Sequence, residues 1–194
     1  MELLKDYILN YGRVIEKNVI KVDSFINHQV DTYLLYKIGE RIAECFQNAQ
    51  VTKILTIETS GIPFACAAAH KLNHIPVVFA KKEASLITKQ NNYRERVYSY
   101  TKEKYYNILV SKDYIKQGDR VLIIDDFLAK GNAAIALMNI VKEAKADVVG
   151  FVPLIEKRFQ NGRENILSHY PQLNLEPLVS IKALDNDTAY FTEE

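Results

Sequence analysis

The fold of this chain is decided by one segment, Val121-Leu-Ile-Ile-Asp-Asp-Phe-Leu-Ala-Lys-Gly-Asn-Ala133. Its four consecutive apolar residues, Val121 to Ile124, are typical of a strand that is covered on both faces, as strands of a parallel sheet are. An amphipathic helix is then predicted by apolar residues at helical spacing, namely Ala134, Leu137, Met138 and Val141. The segment therefore indicates a strand, a short turn and a helix whose amino end lies at the turn.

The turn between this strand and helix has the properties of a phosphate site. The first N–H groups of a helix lack partners within the helix, and the helix dipole adds positive charge there. A phosphate is therefore expected against the backbone of residues 129–133. Asp125 and Asp126 offer only acceptors, which suits the vicinal hydroxyls of a ribose. An ordinary βα turn with solvent-facing acids fits equally well, because glycine content is low and no Walker-type signature is present.

Strand and helix signals alternate along the chain without a repeat or a Pro/Gly-rich linker, so one domain over residues 1–194 is expected. Besides the central unit, the pattern predicts strands at 53–57, 77–80, 147–155 and 178–181 and helices around 35–46 and 62–72. Such alternation predicts a parallel sheet with right-handed crossovers. Ligands of these sheets bind at the carboxyl ends of the strands.

Composition excludes several classes of protein. At 194 residues and 48% hydrophobic residues, the chain is long enough for a substantial core. No apolar run approaches a membrane span of ~20 residues, and the first residues do not form a signal peptide, so a cytoplasmic protein without membrane contact is expected. A net charge of +1 argues against a dedicated nucleic-acid binder. Cys45 and Cys66 lie in apolar helical contexts without metal-ligand spacing, which predicts reduced core thiols and no metal site.

Residues 82–107 interrupt the alternation with a polar stretch that holds five of the twelve tyrosines. A long connection in a compact domain is usually either functional or mobile. From the residues alone, a solvated surface hairpin without a catalytic part stays an open alternative.

Five blocks of the sequence together resemble the type I phosphoribosyltransferases, and within them the xanthine branch. The blocks occur in the order of the family and span nearly the whole chain: Lys21–Gln29, Thr56–Ile62, Pro76–Lys81, the Asp125 segment and Ile155–Lys157. The phosphate loop differs from most of the superfamily, because Ala129-Lys-Gly-Asn-Ala133 stands where Thr and Gly are usual. The xanthine branch is similar in this respect, so backbone amides, with Asn132 or Lys130, are expected to supply the donors.

The resemblance implies an α/β type I phosphoribosyltransferase fold with a central, mostly parallel sheet flanked by helices. It adds a flexible hairpin hood at about 82–107, with strands near Val97–Tyr100 and Ile108–Val110, and a small purine-binding hood at about 1–30. The implied reaction transfers the 5-phosphoribosyl group of phosphoribosyl diphosphate (PRPP) to xanthine, giving xanthosine 5′-monophosphate and pyrophosphate in purine salvage. Mg²⁺ is expected to arrive with PRPP, since it prefers phosphate oxygens and waters. A homodimer is also expected.

The resemblance assigns site residues in four sets. The residues implied to contact the ribose are Asp125 and Asp126, and those implied to bind the 5′-phosphate are Ala129, Lys130, Gly131, Asn132 and Ala133. Pyrophosphate is expected to bind Glu58, Thr59, Ser60, Gly61 and Lys81. Xanthine is expected to contact Ile20, Asn27 and Lys157. Read without the family, Ser60 and Gly61 fit a helix cap and a turn glycine. In the same way Ile20 fits a core residue, Asn27 a turn or cap and Lys157 a solvated surface charge.

Two other functions stay open. A related enzyme could use guanine, hypoxanthine or adenine, and side-by-side kcat/KM values for the purines would separate these. A non-catalytic regulator could bind PRPP on the same fold, as some purine repressors do. Those carry an amino-terminal DNA-binding domain, and the twenty residues before Lys21 are expected to be too few for a winged helix.

Overall fold

The computed structural model describes residues 1–16, 19–82, 91–99, 103–185 and 188–192. In these residues the helices are α1 (Glu2–Tyr11), α2 (Thr32–Phe46), α3 (Ile62–Lys71), α4 (Asn132–Glu143) and α5 (Gly162–His169). The strands are β1 (Arg13–Glu16), β2 (Val19–Lys21), β3 (Lys53–Ile57), β4 (Val77–Lys82), β5 (Asn92–Ser99), β6 (Lys104–Ser111), β7 (Arg120–Leu128), β8 (Asp147–Lys157), β9 (Val179–Asp185) and β10 (Thr188–Phe191). A π-helical turn spans Asp23–Asn27, and a 3₁₀ turn spans Arg158–Gln160.

Eight of these strands form one sheet in the order β10-β9-β8-β7-β3-β4-β6-β5. The five strands from β9 to β4 run parallel, and antiparallel strands flank them on both sides. β1 and β2 pair separately as an antiparallel hairpin. The predicted, mostly parallel sheet is therefore confirmed, and the carboxyl ends of β8, β7, β3 and β4 meet along one edge.

β7 lies inside this sheet and carries core residues on both of its faces. Leu122 and Ile124 pack in the cluster that contains α1, α2 and α3, whereas Val121 and Ile123 pack in the cluster that contains α4. All four side chains are fully buried, and each burial contributes roughly 1.5–3 kcal/mol. The predicted strand is confirmed, but it is longer than expected. Its pairing with β8 continues as far as Leu128, so the acidic pair lies within the strand.

The polar stretch contains an antiparallel hairpin, as expected. β5 and β6 pair from Asn92 opposite Ser111 to Ser99 opposite Lys104, and β6 continues the main sheet by pairing with β4. Both strands are longer than predicted. Residues 83–90 and 100–102 of the expected hood lie outside the described residues.

Three further expectations meet the structure in different ways. The helix α2 begins at an Asp31 cap, whose side chain accepts from the Leu34 N–H at 2.9 Å, and presents the predicted apolar face.

Cys66 is exposed on α3, so the prediction of a core thiol is wrong there, because the face it occupies is not covered. No helix in the described ranges is long and apolar enough to cross a membrane.

Candidate active site

A cavity of about 640 Å³ opens where β7 and β8 end. Its main walls are formed by Asp125 and Phe127 of β7, by residues 128–134, which lead from the end of β7 into α4, and by Lys157 of β8. The remaining lining residues come from the β2 strand, the β5–β6 hairpin and the 3₁₀ turn, namely Val19, Val97, Tyr98, Tyr106 and Gln160. One residue of the predicted ribose pair, the predicted phosphate loop and one predicted purine residue therefore surround a single space.

The phosphate loop, residues 129–133, leads directly into α4. Gly131 is the N-cap of this helix and has a φ of 84°, a conformation that favours glycine. Its carbonyl accepts from the Ile135 N–H at 2.9 Å, which closes the first turn of the helix. Asn132 and Ala133 stand in that turn and line the cavity. The amino end of α4 thus offers backbone donors and the positive end of its dipole to an anion.

The two acidic residues of β7 differ in environment. Asp125 is 7% exposed and lines the cavity, whereas Asp126 is only partly buried. Each carboxylate accepts a hydrogen bond from the backbone N–H of the next residue. The Asp126 N–H donates to Asp125 Oδ1 at 2.9 Å, and the Phe127 N–H donates to Asp126 Oδ1 at 3.0 Å. Burial raises the pKa of Asp125 well above its usual range, and the neighbouring charge of Asp126 raises it further.

Lys157 is the last residue of β8 and lines the cavity. The Nζ atom lies 5.0 Å from the centroid of the Phe127 ring, a distance at which a cation and an aromatic face attract. Burial lowers the pKa of Lys157, and the charge of Asp126 opposes this change. The neighbouring Arg158 instead contacts Glu156 and Glu164. The reading of Lys157 as one half of a solvated basic pair is therefore not supported.

The second predicted loop, Glu58–Gly61, follows β3 at the same edge of the sheet. Glu58 Oε1 accepts from the Lys82 N–H at 2.6 Å, which joins this loop to the end of β4 beside Lys81. A side chain at Gly61 would collide with the buried Thr56 hydroxyl, so this position needs the close approach that glycine permits. Neither this loop nor Lys81 lines the 640 Å³ cavity. Their contact with pyrophosphate stays a prediction.

The two amino-terminal residues expected to contact the purine are not part of the cavity wall. Ile20 is 6% exposed and packs in the core, while its neighbour Val19 lines the cavity. Neighbouring residues of a strand point to opposite faces, which explains the difference of one position. Asn27 is exposed at the end of the π-helical turn. The expectation of a purine contact by Ile20 and Asn27 stays a prediction.

Sequence reasoning missed several wall residues, and for two of them a signal existed. Phe127 stands two positions after Asp125 in β7, so the strand period alone places both on one face. Tyr106 belongs to the tyrosine-rich stretch; burial raises its pKa, and the charge of Asp125 adds to the rise. Gln160 carries no comparable pattern.

Residues 29–168 match the family described as the phosphoribosyl transferase domain. The chain therefore belongs to the phosphoribosyltransferase family, and its fold is the type I phosphoribosyltransferase fold. It is 49% identical to a xanthine phosphoribosyltransferase of Clostridium novyi (strain NT), over 98% of this chain and 99% of that protein. It is 48% identical to a xanthine phosphoribosyltransferase of Shouchella clausii (strain KSM-K16), over 100% and 96% respectively.

Solved structures agree with the fold. The crystal structure of adenine phosphoribosyltransferase from Rhodothermus marinus matches with a TM-score of 0.74 and 25% identity, over 93% of this chain and 97% of that one. That of adenine phosphoribosyltransferase from Thermoanaerobacter pseudethanolicus also gives a TM-score of 0.74, at 19% identity over 92% and 98%. The fold is thus shared by relatives whose names specify different purines.

Proposed function

We propose that this chain transfers the 5-phosphoribosyl group of PRPP to xanthine, giving xanthosine 5′-monophosphate and pyrophosphate in purine salvage. The observation that carries the proposal is that Asp125, the loop 129–133 and Lys157 line one cavity. The relatives named xanthine phosphoribosyltransferase support the choice of purine.

The reaction is a displacement at ribose C1. A xanthine nitrogen forms the new bond to C1 and gives up its proton to water, while the bond from C1 to the pyrophosphate oxygen breaks, through a transition state with positive charge on the ribose. Positioning and charge stabilisation dominate such a step, because no covalent intermediate with the protein is needed. The loop 129–133 holds the 5′-phosphate, and Asp125 and Asp126 hold the ribose hydroxyls and favour the developing positive charge.

Lys157 provides the selectivity for the purine. Xanthine carries carbonyls at positions 2 and 6, and an ammonium group donates hydrogen bonds without accepting any. Adenine would present an amino group at position 6 and leave buried donors unpaired, which costs heavily in kcat/KM. Val19 and Phe127 supply apolar walls beside Lys157, and Asn27 and Ile20 complete the purine contacts.

The pyrophosphate leaves toward the loop Glu58–Gly61 and Lys81. Glu58 supports this arrangement indirectly, because its bond to the Lys82 backbone ties the loop to the strand that carries Lys81. Among the described residues, no group of three or more His, Cys, Asp or Glu side chains could hold a metal ion. Mg²⁺ would be carried by PRPP, because this ion prefers phosphate oxygens and waters as ligands, and it would neutralise charge on the leaving pyrophosphate.

The β5–β6 hairpin is the hood that closes over bound PRPP. Val97, Tyr98 and Tyr106 already stand in the cavity wall, and Asn132 Nδ2 lies 3.5 Å from the Tyr98 carbonyl oxygen. Closure excludes water, which matters because hydrolysis of PRPP is the competing reaction. The working unit is one domain that assembles as a homodimer.

The purine assignment is tested by measuring pyrophosphate release with PRPP, Mg²⁺ and each of xanthine, guanine, hypoxanthine and adenine. The highest kcat/KM is expected with xanthine. A clear preference for another purine would replace xanthine but keep the reaction. PRPP binding without turnover of any purine would make the chain a regulator.

A further inference from the structure

The helix α5 packs against the phosphate loop. A Cβ added at Gly162, the first residue of α5, would collide with the Ala129 carbonyl oxygen and lie 2.8 Å from Leu128 Cδ1. A Cβ added at Gly131 would lie 3.0 Å from both the Gly162 carbonyl oxygen and Ile166 Cγ1. The backbones of loop and helix are therefore in close contact, and the residues that line the cavity include none from α5.

One side chain of α5 fixes the orientation of a peptide group in the loop. Asn165 Nδ2 donates to the Lys130 carbonyl oxygen at 2.8 Å. The peptide bond between Lys130 and Gly131 is trans, so its N–H points opposite to its C=O. Because Asn165 holds the carbonyl toward α5, the Gly131 N–H points away from α5, and Gly131 itself lines the cavity.

The start of α5 is itself held in place by a buried ion pair. Arg163 donates to both carboxylate oxygens of Glu156, from Nε at 2.9 Å and from Nη2 at 3.0 Å. The Ser180 hydroxyl donates to Glu156 Oε2 at 2.6 Å. Glu156 is 1% exposed and precedes Lys157 in β8. The helix that supports the phosphate loop is thus anchored to the strand that carries Lys157.

We propose that Asn165 is a positioning residue for the site of the 5′-phosphate. The loop 129–133 lacks a side-chain hydroxyl, so backbone amides must provide donors, and Asn165 sets the direction of one of them from behind. The inference deepens the proposed function and depends on it, since the ligand is the 5′-phosphate of PRPP. Asn165 thereby orients a backbone amide that takes the place of the hydroxyl that the loop lacks.

The experiment compares Asn165→Ala with a matched control, Asn139→Ala. Asn139 on α4 accepts from the Tyr170 hydroxyl at 2.7 Å and so tethers the other end of α5 with a bond of similar length. Calorimetry with ribose 5-phosphate and separately with pyrophosphate distinguishes the two anion sites. Asn165→Ala should weaken ribose 5-phosphate binding by roughly 3- to 10-fold, the range of one neutral hydrogen bond, and leave pyrophosphate binding unchanged. Asn139→Ala should change neither affinity.

Steady-state kinetics gives a second readout. The 5′-phosphate is remote from ribose C1 and is bound in both ground and transition states, so Asn165→Ala should raise the KM for PRPP and leave kcat near the parent value. Asn165→Asp, which places an acceptor against the Lys130 carbonyl, should have at least as large an effect. Unchanged ribose 5-phosphate affinity in Asn165→Ala, or an equal loss in Asn139→Ala, would overturn this inference alone. Failure of the parent protein to bind ribose 5-phosphate would overturn the proposed function with it.

Discussion

Asp125 lies where its ionised form is unfavourable in the ligand-free protein. It lies inside the sheet, is almost fully buried and has the Asp126 carboxylate beside it, and all of this favours its neutral form. In the proposed reaction, a group that is costly to ionise in the ligand-free protein becomes useful when positive charge develops on the ribose. Function and stability therefore oppose each other at this residue.

We expect Asp125→Asn to stabilise the ligand-free protein while lowering kcat. The folded-state pKa of Asp125 is raised, so its contribution to stability is most favourable below the unfolded pKa, near 3.8, and is lost as pH rises through the folded pKa. Asn imitates the neutral form, so the gain, about 1–3 kcal/mol at neutral pH, should vanish near pH 4 in denaturant titrations. Asp126→Asn should gain less, since Asp126 is less buried. An unchanged or lower stability of Asp125→Asn at neutral pH would contradict this account.

Lys157→Gln should change purine selectivity. The glutamine keeps a donor, loses the charge and adds an acceptor that can face a 6-amino group. The kcat/KM for xanthine should fall roughly ten- to a hundredfold, the range for a charged hydrogen bond of about 1.5–3 kcal/mol. The kcat/KM for adenine should fall less or rise slightly. The KM for PRPP should stay close to the parent value. Lys37→Gln, which removes an exposed lysine paired with Glu40 on α2, is the control. An equal decline for every purine would show that Lys157 is structural.

Glu156→Gln should make the protein less stable in a pH-dependent way. Burial alone would raise the pKa of Glu156, but hydrogen bonds from Arg163 and Ser180 outweigh it and the pKa is lowered. This contribution is present above the unfolded pKa, near 4.5, and is lost as pH falls through the folded pKa. Urea titrations should show a deficit of about 1.5–3 kcal/mol at neutral pH that shrinks below pH 4. A deficit independent of pH would mean that packing, rather than the ion pair, holds α5.

At the scale of elements, the phosphate loop owes its shape to its neighbours as well as to its own sequence. Gly131 has both a left-handed φ and the carbonyl of Gly162 close behind it. A side chain at this position would meet α5 before it met a phosphate. The glycine is therefore required by the packing of two elements, which a motif alone does not reveal.

Gly131→Ala should destabilise the protein and raise the KM for PRPP. Gly118 provides the control, because its φ of 86° is nearly the same and a Cβ there would meet nothing within 4 Å. Both variants should lose about 1–2 kcal/mol from the left-handed backbone, measured by thermal unfolding, but only Gly131→Ala should lose more and bind PRPP more weakly. Equal effects of the two variants on the KM would remove the contact with α5 from the explanation.

The elements predicted from sequence are those whose signal is local. Val121–Ile124 and the α4 face were identified because an apolar run and a helical period need no knowledge of partners. The helix α5 was missed because only Gly162 and Ile166 of its eight residues are buried, so it has almost no apolar face. Its position depends on Arg163 and Asn165, whose partners lie in other parts of the chain.

For the molecule as a whole, the order of strands and helices along the chain predicts most of the candidate site. Alternating strands and helices place strand ends at one edge, and this brought Asp125, the loop 129–133 and Lys157 together as expected. What the pattern could not give was the contribution of the amino-terminal hairpin. A shift of one residue reverses the face of a strand, so Val19 lines the cavity where Ile20 was expected.

We propose that the cavity at the ends of β7 and β8 is where xanthine is joined to the ribose of PRPP. It is tested most directly by following xanthosine 5′-monophosphate and pyrophosphate in the same reaction of purified protein, xanthine, PRPP and Mg²⁺. We expect both products to appear at equal rates and in a ratio of one to one. Pyrophosphate without nucleotide, or neither product, would contradict it.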